Sequence, residues 1–127
     1  MDNHEPPIYR AAYDLALGLS RYVKDCHPDY KSTLGLLLQQ EVLRLEATIY
    51  HINDSDNKIK ALQLALDSCY FIRMILRLAL DLALLKIETS VILNLKIDEV
   101  ARQLGGWKKA QKAHFDDGGV FDQIGVR

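Results

Sequence analysis

The amino-acid sequence predicts an all-α protein, arranged as an antiparallel up-down-up-down four-helix bundle. Three observations support this fold class: apolar residues recur every three or four positions, strand patterns are absent, and the prolines are confined to Pro6, Pro7 and Pro28. Four helices of about 20 residues with short connections are expected to pack as antiparallel neighbours. We therefore expect one domain over residues 1–112 and an irregular or disordered C-terminal tail over residues 113–127.

The first helix is predicted over about residues 7–26. Pro6 and Pro7 are tolerated at the start of a helix, whereas Pro28 disfavours helical geometry at His27 and ends it. One face of the segment carries apolar side chains at helical spacing. These are Ile8, Ala12, Leu15, Leu19 and Val23.

The second helix is predicted over about residues 33–52, because Ser32 or Thr33 can cap its free amide groups. A polar turn follows it and offers Ser55 or Asp56 as the cap of the next helix. The apolar stripe of the second helix comprises Leu34, Leu38, Leu45, Ile49 and Ile52.

The third helix is predicted over about residues 57–87 and is apolar on two faces. The first face comprises Ile59, Leu62, Leu66, Cys69, Leu76 and Leu80, and the second comprises Leu64, Phe71, Ile75, Leu78, Leu82 and Leu85. A bundle helix needs only one apolar stripe, and a second stripe left in water usually marks an interface. We therefore favour a homo-oligomer over the alternative that this helix lies centrally among its neighbours. The candidate helix-packing or interface residues are Phe71, Ile75, Leu78 and Leu82.

The fourth helix is predicted over about residues 90–112 and contains Gly105 and Gly106 beside the single tryptophan, Trp107. Each glycine costs a helix about 1 kcal/mol relative to alanine, so the absence of a side chain should permit a contact. We expect a close approach to a neighbouring helix, near the end of the bundle or between subunits, with Trp107 filling the space beside it. The apolar residues of this helix include Ile92, Leu95, Val100 and Leu104.

The composition is that of a soluble globular protein. Of the 127 residues, 49% are hydrophobic and 26% are charged, and the net charge of −1 gives no global attraction for nucleic acid. The most apolar stretch, residues 69–85, is interrupted by Arg73, Arg77 and Asp81, so we expect no membrane insertion. The N-terminus lacks the basic start and apolar centre of a signal peptide, which favours a cytoplasmic location.

Motifs for catalysis or metal binding are absent from the sequence. The histidines do not form an i, i+4 pair, the carboxylates lack the ExxH pairs of a diiron bundle, and Cys26 and Cys69 suggest buried reduced thiols. We therefore expect no enzyme activity, no catalytic residues, no metal, no cofactor and no small-molecule substrate.

Two groups of basic residues are candidates for a binding site. Arg73 and Arg77 lie one turn apart on a helix with little other charge, and the alternative is that Arg77 pairs with Asp81. The second group comprises Arg102, Lys108, Lys109 and Lys112. Cations near a helix C-terminus either offset the helix dipole or contact phosphate, and the sequence leaves both interpretations open.

Three stretches of the chain are similar to one known family. Residues 6–19 (PPIYRAAYDLALGL), 30–35 (YKSTLG) and 100–111 (VARQLGGWKKAQ) resemble the four-helix-bundle proteins of the 23S rRNA intervening sequences and Avd, the accessory protein of diversity-generating retroelements. The similarity extends over about residues 6–112, in order and with matching helix spacing, and is closest to the Avd proteins.

The resemblance implies a cytoplasmic bacterial or phage protein that assembles into a ring-like homopentamer. Avd proteins associate with a reverse transcriptase and bind nucleic acid through a basic surface, so RNA or DNA and such a polymerase are the implied partners. By position, the candidate residues are Lys31, Arg73, Arg77, Arg102, Lys108, Lys109 and Lys112. The alternative is an oligomeric structural or protein-interaction module of the intervening-sequence family that does not bind nucleic acid.

Overall fold

The computed structural model describes residues 5–116, and every regular element in that range is helical. The four long helices are Pro7–Asp25 (α1), Leu36–His51 (α3), Lys58–Asp81 (α4) and Ile87–His114 (α5). Three short elements lie between them: the helical turn Pro28–Tyr30 (α2), the π-helical turn Lys31–Gly35 and the 3-10 turn Ile52–Asp54. The all-α class with four long helices is therefore confirmed for this part of the chain. Most of the predicted tail, residues 117–127, lies outside the described residues.

The start of α3 differs from the prediction, because neither Ser32 nor Thr33 caps it. The Thr33 hydroxyl donates to the carbonyl of Tyr30 at 3.2 Å, and residues 31–35 already wind as a π-helical turn that continues into Leu36. Since the chain is helical before α3 begins, α3 has no free first turn that a side chain has to cap.

The cap of α4 is Asn57 and not Ser55 or Asp56 as predicted. The Oδ1 atom of Asn57 accepts a hydrogen bond from the amide of Lys60 at 3.0 Å. Asparagine is among the preferred residues at this position. The Ser55 hydroxyl accepts from the Asn57 amide at 3.2 Å, which stabilises the turn that leads into the cap.

The predicted third helix is too long, because α4 ends at Asp81. Ala83 adopts a left-handed backbone conformation with φ of 60°, and the amide of Leu84 donates to the carbonyl of Ala79 at 2.9 Å. This is the Schellman pattern, in which glycine usually occupies the left-handed position. Because alanine stands there, no glycine marks the helix end in the sequence. Helix α5 begins at Ile87, earlier than predicted.

The predicted tail begins too early. Helix α5 continues through Ala113 to His114, and the amide of Phe115 still donates to the carbonyls of Gln111 and Lys112. No glycine or proline separates these residues from the preceding turns, so the helical hydrogen bonds continue.

The core lies between the four long helices. Helix α1 packs against α3 and α5, and α4 packs against the same two helices. The largest fully buried side chains are Leu15, Leu19, Leu38, Leu45, Ile49, Ile52, Leu62, Ile72, Ile75, Leu76, Ile97 and Leu104. In α5, Leu93 and Ile97 enter the core with Val100 and Leu104, whereas Ile92 and Leu95 are 55% and 63% exposed.

Contacts between helix ends fix which ends are neighbours. The rings of Tyr9 and Tyr50 stack with centroids 4.7 Å apart, so the start of α1 lies beside the end of α3. The side chain of Lys108 donates to that of Gln63, so the last turns of α5 lie beside the first turns of α4. Since a short turn joins α3 to α4, these four helix ends are close to one another.

Candidate interaction surfaces

Large apolar and aromatic side chains remain on the outside of the four helices. Within residues 5–116, sixteen of them are between 36% and 63% exposed. They are Tyr13, Tyr30, Leu36, Leu37, Leu43, Tyr50, Leu64, Tyr70, Phe71, Met74, Leu78, Leu82, Ile87, Val91, Ile92 and Leu95. Where such side chains form a contiguous patch, they usually mark an interaction surface.

The predicted second face of α4 is divided between the core and the surface. Phe71, Leu78 and Leu82 are 36%, 42% and 54% exposed, and their role as interface residues stays a prediction. Ile75 is only 1% exposed and belongs to the core, so of its two predicted roles, helix packing or interface, the burial fits helix packing. Helix α4 packs against both α3 and α5, so it buries a wider face than a helix with one neighbour.

A groove separates the outer sides of α4 and α5. Its volume is about 540 Å³, and its lining residues are Tyr70, Arg73, Met74, Arg77, Leu80, Ser90 and Asn94. Tyr70 and Met74 are 51% and 52% exposed. We define the α4–α5 surface as this groove together with Lys108, which lies further along the same helix pair.

The two predicted arginines on the α4–α5 surface both have carboxylate partners. Arg73 Nη2 lies 2.6 Å from Asp98 Oδ1, and Arg77 Nε lies 3.5 Å from Asp81 Oδ2. The guanidinium of Arg73 also lies 6.0 Å from the ring centroid of Tyr70. The geometry therefore matches the alternative that Arg77 pairs with Asp81.

On the other side of the molecule, α1 and α3 present aromatic and leucine side chains. Tyr50 stacks on Tyr9 with an interplanar angle of 18°, and Leu36, Leu43 and Tyr50 follow one another at intervals of two helical turns on α3. Their exposures are 47%, 54% and 44%. We define the α1–α3 surface by Glu5, Tyr9, Tyr13, Leu36, Leu43, Glu46 and Tyr50.

Two carboxylates on the α1–α3 surface are not fully paired. Glu5 Oε2 and Glu46 Oε2 are both buried and have no hydrogen-bond partner within the described chain. Burial raises the pKa of the Glu46 carboxyl. Desolvation, followed by the negative charges of Glu5 and Glu46, raises the pKa of the Tyr50 hydroxyl. Buried polar atoms without a partner are rare, so each requires an explanation.

The remaining predicted basic residues are not brought together on one face. Arg102 binds Glu99 through two contacts, of 2.6 and 3.1 Å, and hydrogen bonds from Arg102 and Gln103 lower the pKa of Glu99 to about 2. Lys31 lies in the turn before α3, whereas Lys108, Lys109 and Lys112 lie in the last turns of α5, at the other end of the helices. All three predicted arginines therefore have a carboxylate partner.

Two further lysines, not predicted from the sequence as site residues, extend the α5 group. Lys58 and Lys60 lie in the first turn of α4, beside the last turns of α5. We define the lysine cluster as Lys58, Lys60, Lys108, Lys109 and Lys112. No residue in the first turn of α4 is acidic, although the helix dipole disfavours cations there, and this pattern could have indicated the cluster.

The glycines that permit close contact within the chain are Gly18 and Gly35, and not Gly105 and Gly106. A Cβ atom at Gly105 or Gly106 would have no atom within 4 Å, whereas one at Gly18 would lie 3.2 Å from Lys96 Cδ. The predicted close approach near these glycines is therefore wrong within one chain, and the alternative of a contact between subunits stays a prediction. Trp107 is half-buried and packs against the core.

Reactive and metal-ligating side chains are scattered in the described part of the chain. Cys69 is buried, and desolvation raises its pKa to about 12, so its thiol is unreactive. Within residues 5–116, no group of three His, Cys, Asp or Glu side chains is arranged to hold a metal ion. In the same range no helix combines the length and apolar character needed to cross a membrane.

Comparisons with known proteins give only short local similarities. No protein-family model matches the chain, and no solved structure matches it. A segment of 34 residues is 53% identical to the sulfate-binding proteins of Escherichia coli and Shigella flexneri, and covers 27% of this chain and 10% of each of those proteins. A 20-residue segment is 80% identical to a sulfate/thiosulfate import ATP-binding protein cysA of Cucumis sativus, and covers 16% of this chain and 6% of that protein. The chain thus spans about a tenth or less of the curated proteins it matches.

Proposed function

We propose that the protein is a non-enzymatic, cytoplasmic accessory module that works as a homo-oligomer. In this proposal the four long helices form an antiparallel bundle, and the bundles associate into a ring, as the resemblance to the Avd and intervening-sequence proteins implies. The observation that carries the proposal is the set of sixteen exposed large apolar side chains. Burying them between copies removes apolar surface from water, which is the dominant favourable term in protein association.

The contacts between the helices support the antiparallel arrangement. Tyr9 and Tyr50 join the start of α1 to the end of α3, and Lys108 and Gln63 join the end of α5 to the start of α4. The Tyr22 hydroxyl donates to the carbonyl of Leu84 at 2.9 Å, so the end of α1 lies beside the start of α5. An up-down-up-down bundle has these neighbours.

Sedimentation equilibrium of the full chain tests self-association directly. We expect one species whose mass is a fixed multiple of 14.5 kDa, five chains if the ring resembles that of the Avd proteins. Stable subunit interfaces bury about 800 Å² per partner, so the species should persist on moderate dilution. A chain that stays monomeric at every concentration would contradict the proposal.

A second candidate function, nucleic-acid binding beside a reverse-transcriptase-type partner, is favoured by the lysine cluster. Its lysines lie at the start of α4 and at the end of α5. No carboxylate within residues 5–116 forms an ion pair with any of them. Such a cluster releases counterions from a phosphate backbone without reading bases. The arginines are less suited to this role because they are paired already.

Binding to a structured RNA and to an RNA/DNA hybrid at two salt concentrations tests the second candidate. We expect binding at about 50 mM salt that falls steeply by about 200 mM, and a smaller salt slope in the Lys109→Glu/Lys112→Glu variant. Lys24→Glu/Lys31→Glu is the matched control, because it changes the net charge by the same amount at the other end of the helices and should have little effect. Equal losses in both variants would indicate a dependence on net charge and would contradict a site at the lysine cluster.

A further inference from the structure

We propose that residues 117–127 fold back along α5 of their own chain and cover the lysine cluster, with Ile124 in a pocket beside Trp107. We call these residues the 117–127 segment. Its docking goes beyond the proposed self-association, whereas its consequence, that the segment competes with RNA for the lysine cluster, rests on the second candidate function. The docking is supported by a pocket, an open helix face, the length of the chain after α5 and opposite charges.

A pocket opens at the helix ends that carry the lysine cluster. We call it the end pocket; its volume is about 360 Å³, and it is lined by residues 6–9, Asn53, Gln103 and Trp107. The lining offers proline, isoleucine and aromatic surface, together with the side-chain amides of Asn53 and Gln103. The Tyr9 hydroxyl accepts a hydrogen bond from Asn53 at 3.3 Å, so the polar end of that ring already has a partner. Pockets of this composition bind apolar groups.

The face of α5 that leads from the helix end back to Trp107 carries small side chains. Gly106, Ala110 and Ala113 are spaced by four and three residues, so they lie on one face, and all three are exposed. A Cβ atom at Gly106 would have no atom within 4 Å. Glycine disfavours a helix, and a segment lying along this face would use the space that the absent side chain leaves.

The length of chain after α5 matches the distance back to Trp107. At about 1.5 Å per residue, the nine positions from Trp107 to Asp116 span about 14 Å of helix. Residues 117–119 contain two glycines and an aspartate, which is the composition of a turn. An extended chain advances about 3.3 Å per residue, so residues 120–124 then cover about 16 Å and bring Ile124 to the height of Trp107.

Opposite charges meet when the segment folds back in this register. Residues 116–127 contain three aspartates and one arginine. No carboxylate within residues 5–116 forms an ion pair with any lysine of the cluster. The register places Asp122 within one helical turn of Lys109 and Lys112. The segment thus brings carboxylates to lysines that have no such partner in the described part of the chain.

Attachment to α5 makes weak contacts sufficient. Exposed ion pairs and one apolar side chain in a pocket contribute too little to hold a separate protein at low concentration. A segment that is joined to its site by a short connection is present at an effective concentration in the millimolar range. The chain's own segment is therefore the occupant that this small pocket and its lysines fit.

The only tryptophan of the chain reports the docking. Trp107 is half-buried, and its emission and its quenching by acrylamide measure how far solvent reaches the end pocket. Ile124→Ser in the full chain is expected to raise the quenching constant at least about twofold and to shift the emission to longer wavelength, because the segment no longer covers the ring. Circular dichroism checks that the helices are unchanged. The same quenching in both chains would overturn the docking.

Phe121→Ser is the matched control for the register. With Ile124 beside Trp107, Phe121 lies about 10 Å closer to the end of α5, so its loss should change the quenching less. An effect equal to or larger than that of Ile124→Ser would overturn the register. Protection of Trp107 that grows with chain concentration would place the segment on a neighbouring copy and overturn docking within one chain.

A pair of charge variants tests the contact with the lysine cluster. Asp117→Lys/Asp122→Lys should raise the quenching constant toward that of Ile124→Ser, because like charges then face each other along α5. Asp25→Lys/Asp29→Lys makes the same change in net charge at the other end of the helices and should leave the quenching unchanged. Equal effects of the two double variants would indicate a dependence on net charge and contradict the contact.

Binding of a structured RNA separates this inference from the nucleic-acid proposal. Ile124→Ser leaves the charge unchanged, and we expect it to bind RNA about five- to tenfold more tightly at about 50 mM salt if the segment covers the cluster in about 80–90% of molecules. Equal RNA affinities, with a changed quenching of Trp107, would overturn the competition. If neither chain binds RNA, the nucleic-acid proposal fails, whereas the quenching of Trp107 still decides the docking.

Discussion

The α1–α3 and α4–α5 surfaces carry similar exposed apolar side chains but differ in how they treat charge. On the α4–α5 surface, Arg73 and Arg77 each have a carboxylate partner from the same chain. On the α1–α3 surface, Glu5 and Glu46 each keep a buried oxygen without a partner. The α1–α3 surface therefore carries a desolvation cost that the ion pairs of the α4–α5 surface avoid.

The chain segments that connect the helices of each surface also differ, in where they use glycine and alanine. The link from α1 to α3 has Gly35 in an ordinary right-handed conformation, where a Cβ atom would lie 3.2 Å from the carbonyl oxygen of Tyr30. The link from α4 to α5 has Ala83 in the left-handed conformation that favours glycine. Glycine thus occupies the position where a side chain would be crowded. Alanine occupies the position whose left-handed backbone conformation glycine would adopt at lower cost.

The largest expected effect on stability comes from comparing a core residue of α4 with a surface residue of the same helix. Ile75→Ala should lower the free energy of unfolding by about 2–5 kcal/mol, because it removes buried methyl groups and leaves a cavity. Leu78→Ala, on the same predicted stripe but 42% exposed, should change it by about 0.5 kcal/mol. Urea denaturation at equal chain concentration measures both. Similar losses in the two variants would contradict the division of this face.

A smaller expected effect tests the backbone strain at Ala83, in the connection between α4 and α5. Ala83→Gly should raise the free energy of unfolding by about 1 kcal/mol, since the left-handed conformation costs a residue with a Cβ atom about that much. Ala110→Gly, in the exposed part of α5, should lower it by about 0.5–1 kcal/mol through the helix propensity of glycine. The same alanine-to-glycine substitution is thus expected to raise stability at one position and to lower it at the other. Thermal or urea unfolding measures both effects. A loss of stability in Ala83→Gly would show that Ala83 is not strained.

The fold class was predictable from sequence because helical periodicity and proline placement are local signals. Leu15, Leu38 and Leu62 were each assigned to an apolar face, and each is buried. The helix ends were less predictable. Ala83 forms a Schellman turn without the glycine that would announce it, so α4 and α5 could not be separated at the correct residues.

The candidate surfaces were less predictable because they depend on contacts between distant residues. Arg73 finds Asp98, 25 positions along the chain, and no local pattern connects them. Ile75 and Phe71 share a stripe by spacing, yet only the packing of α4 against two helices decides that Ile75 is buried. The sequence contains the first-turn lysines of α4, but their proximity to the end of α5 depends on how the two helices pack and could not be predicted.

The smallest expected effect is a dependence of stability on pH. It is measured for the unpaired carboxylate of Glu46 and for the paired carboxylate of Glu99. The folded chain raises the pKa of Glu46 above its ordinary value of 4.5, so the folded state binds more protons than the unfolded state between these two values. Stability that is present below pH 4.5 is therefore lost as pH rises through the raised pKa. Glu46→Gln should remove this decline. The free energy of unfolding is measured by urea titration across pH, at equal chain concentration in both chains.

Glu99 provides the matched control because its pKa is shifted in the opposite direction. The hydrogen bonds from Arg102 and Gln103 hold that pKa at about 2, so their contribution is present above pH 4.5 and is lost as pH falls toward 2. Glu99→Gln should therefore remove a rise in stability with pH, whereas Glu46→Gln removes a fall. If both variants flatten the profile in the same direction, Glu46 has a partner in the monomer, and the contrast between the two surfaces is wrong.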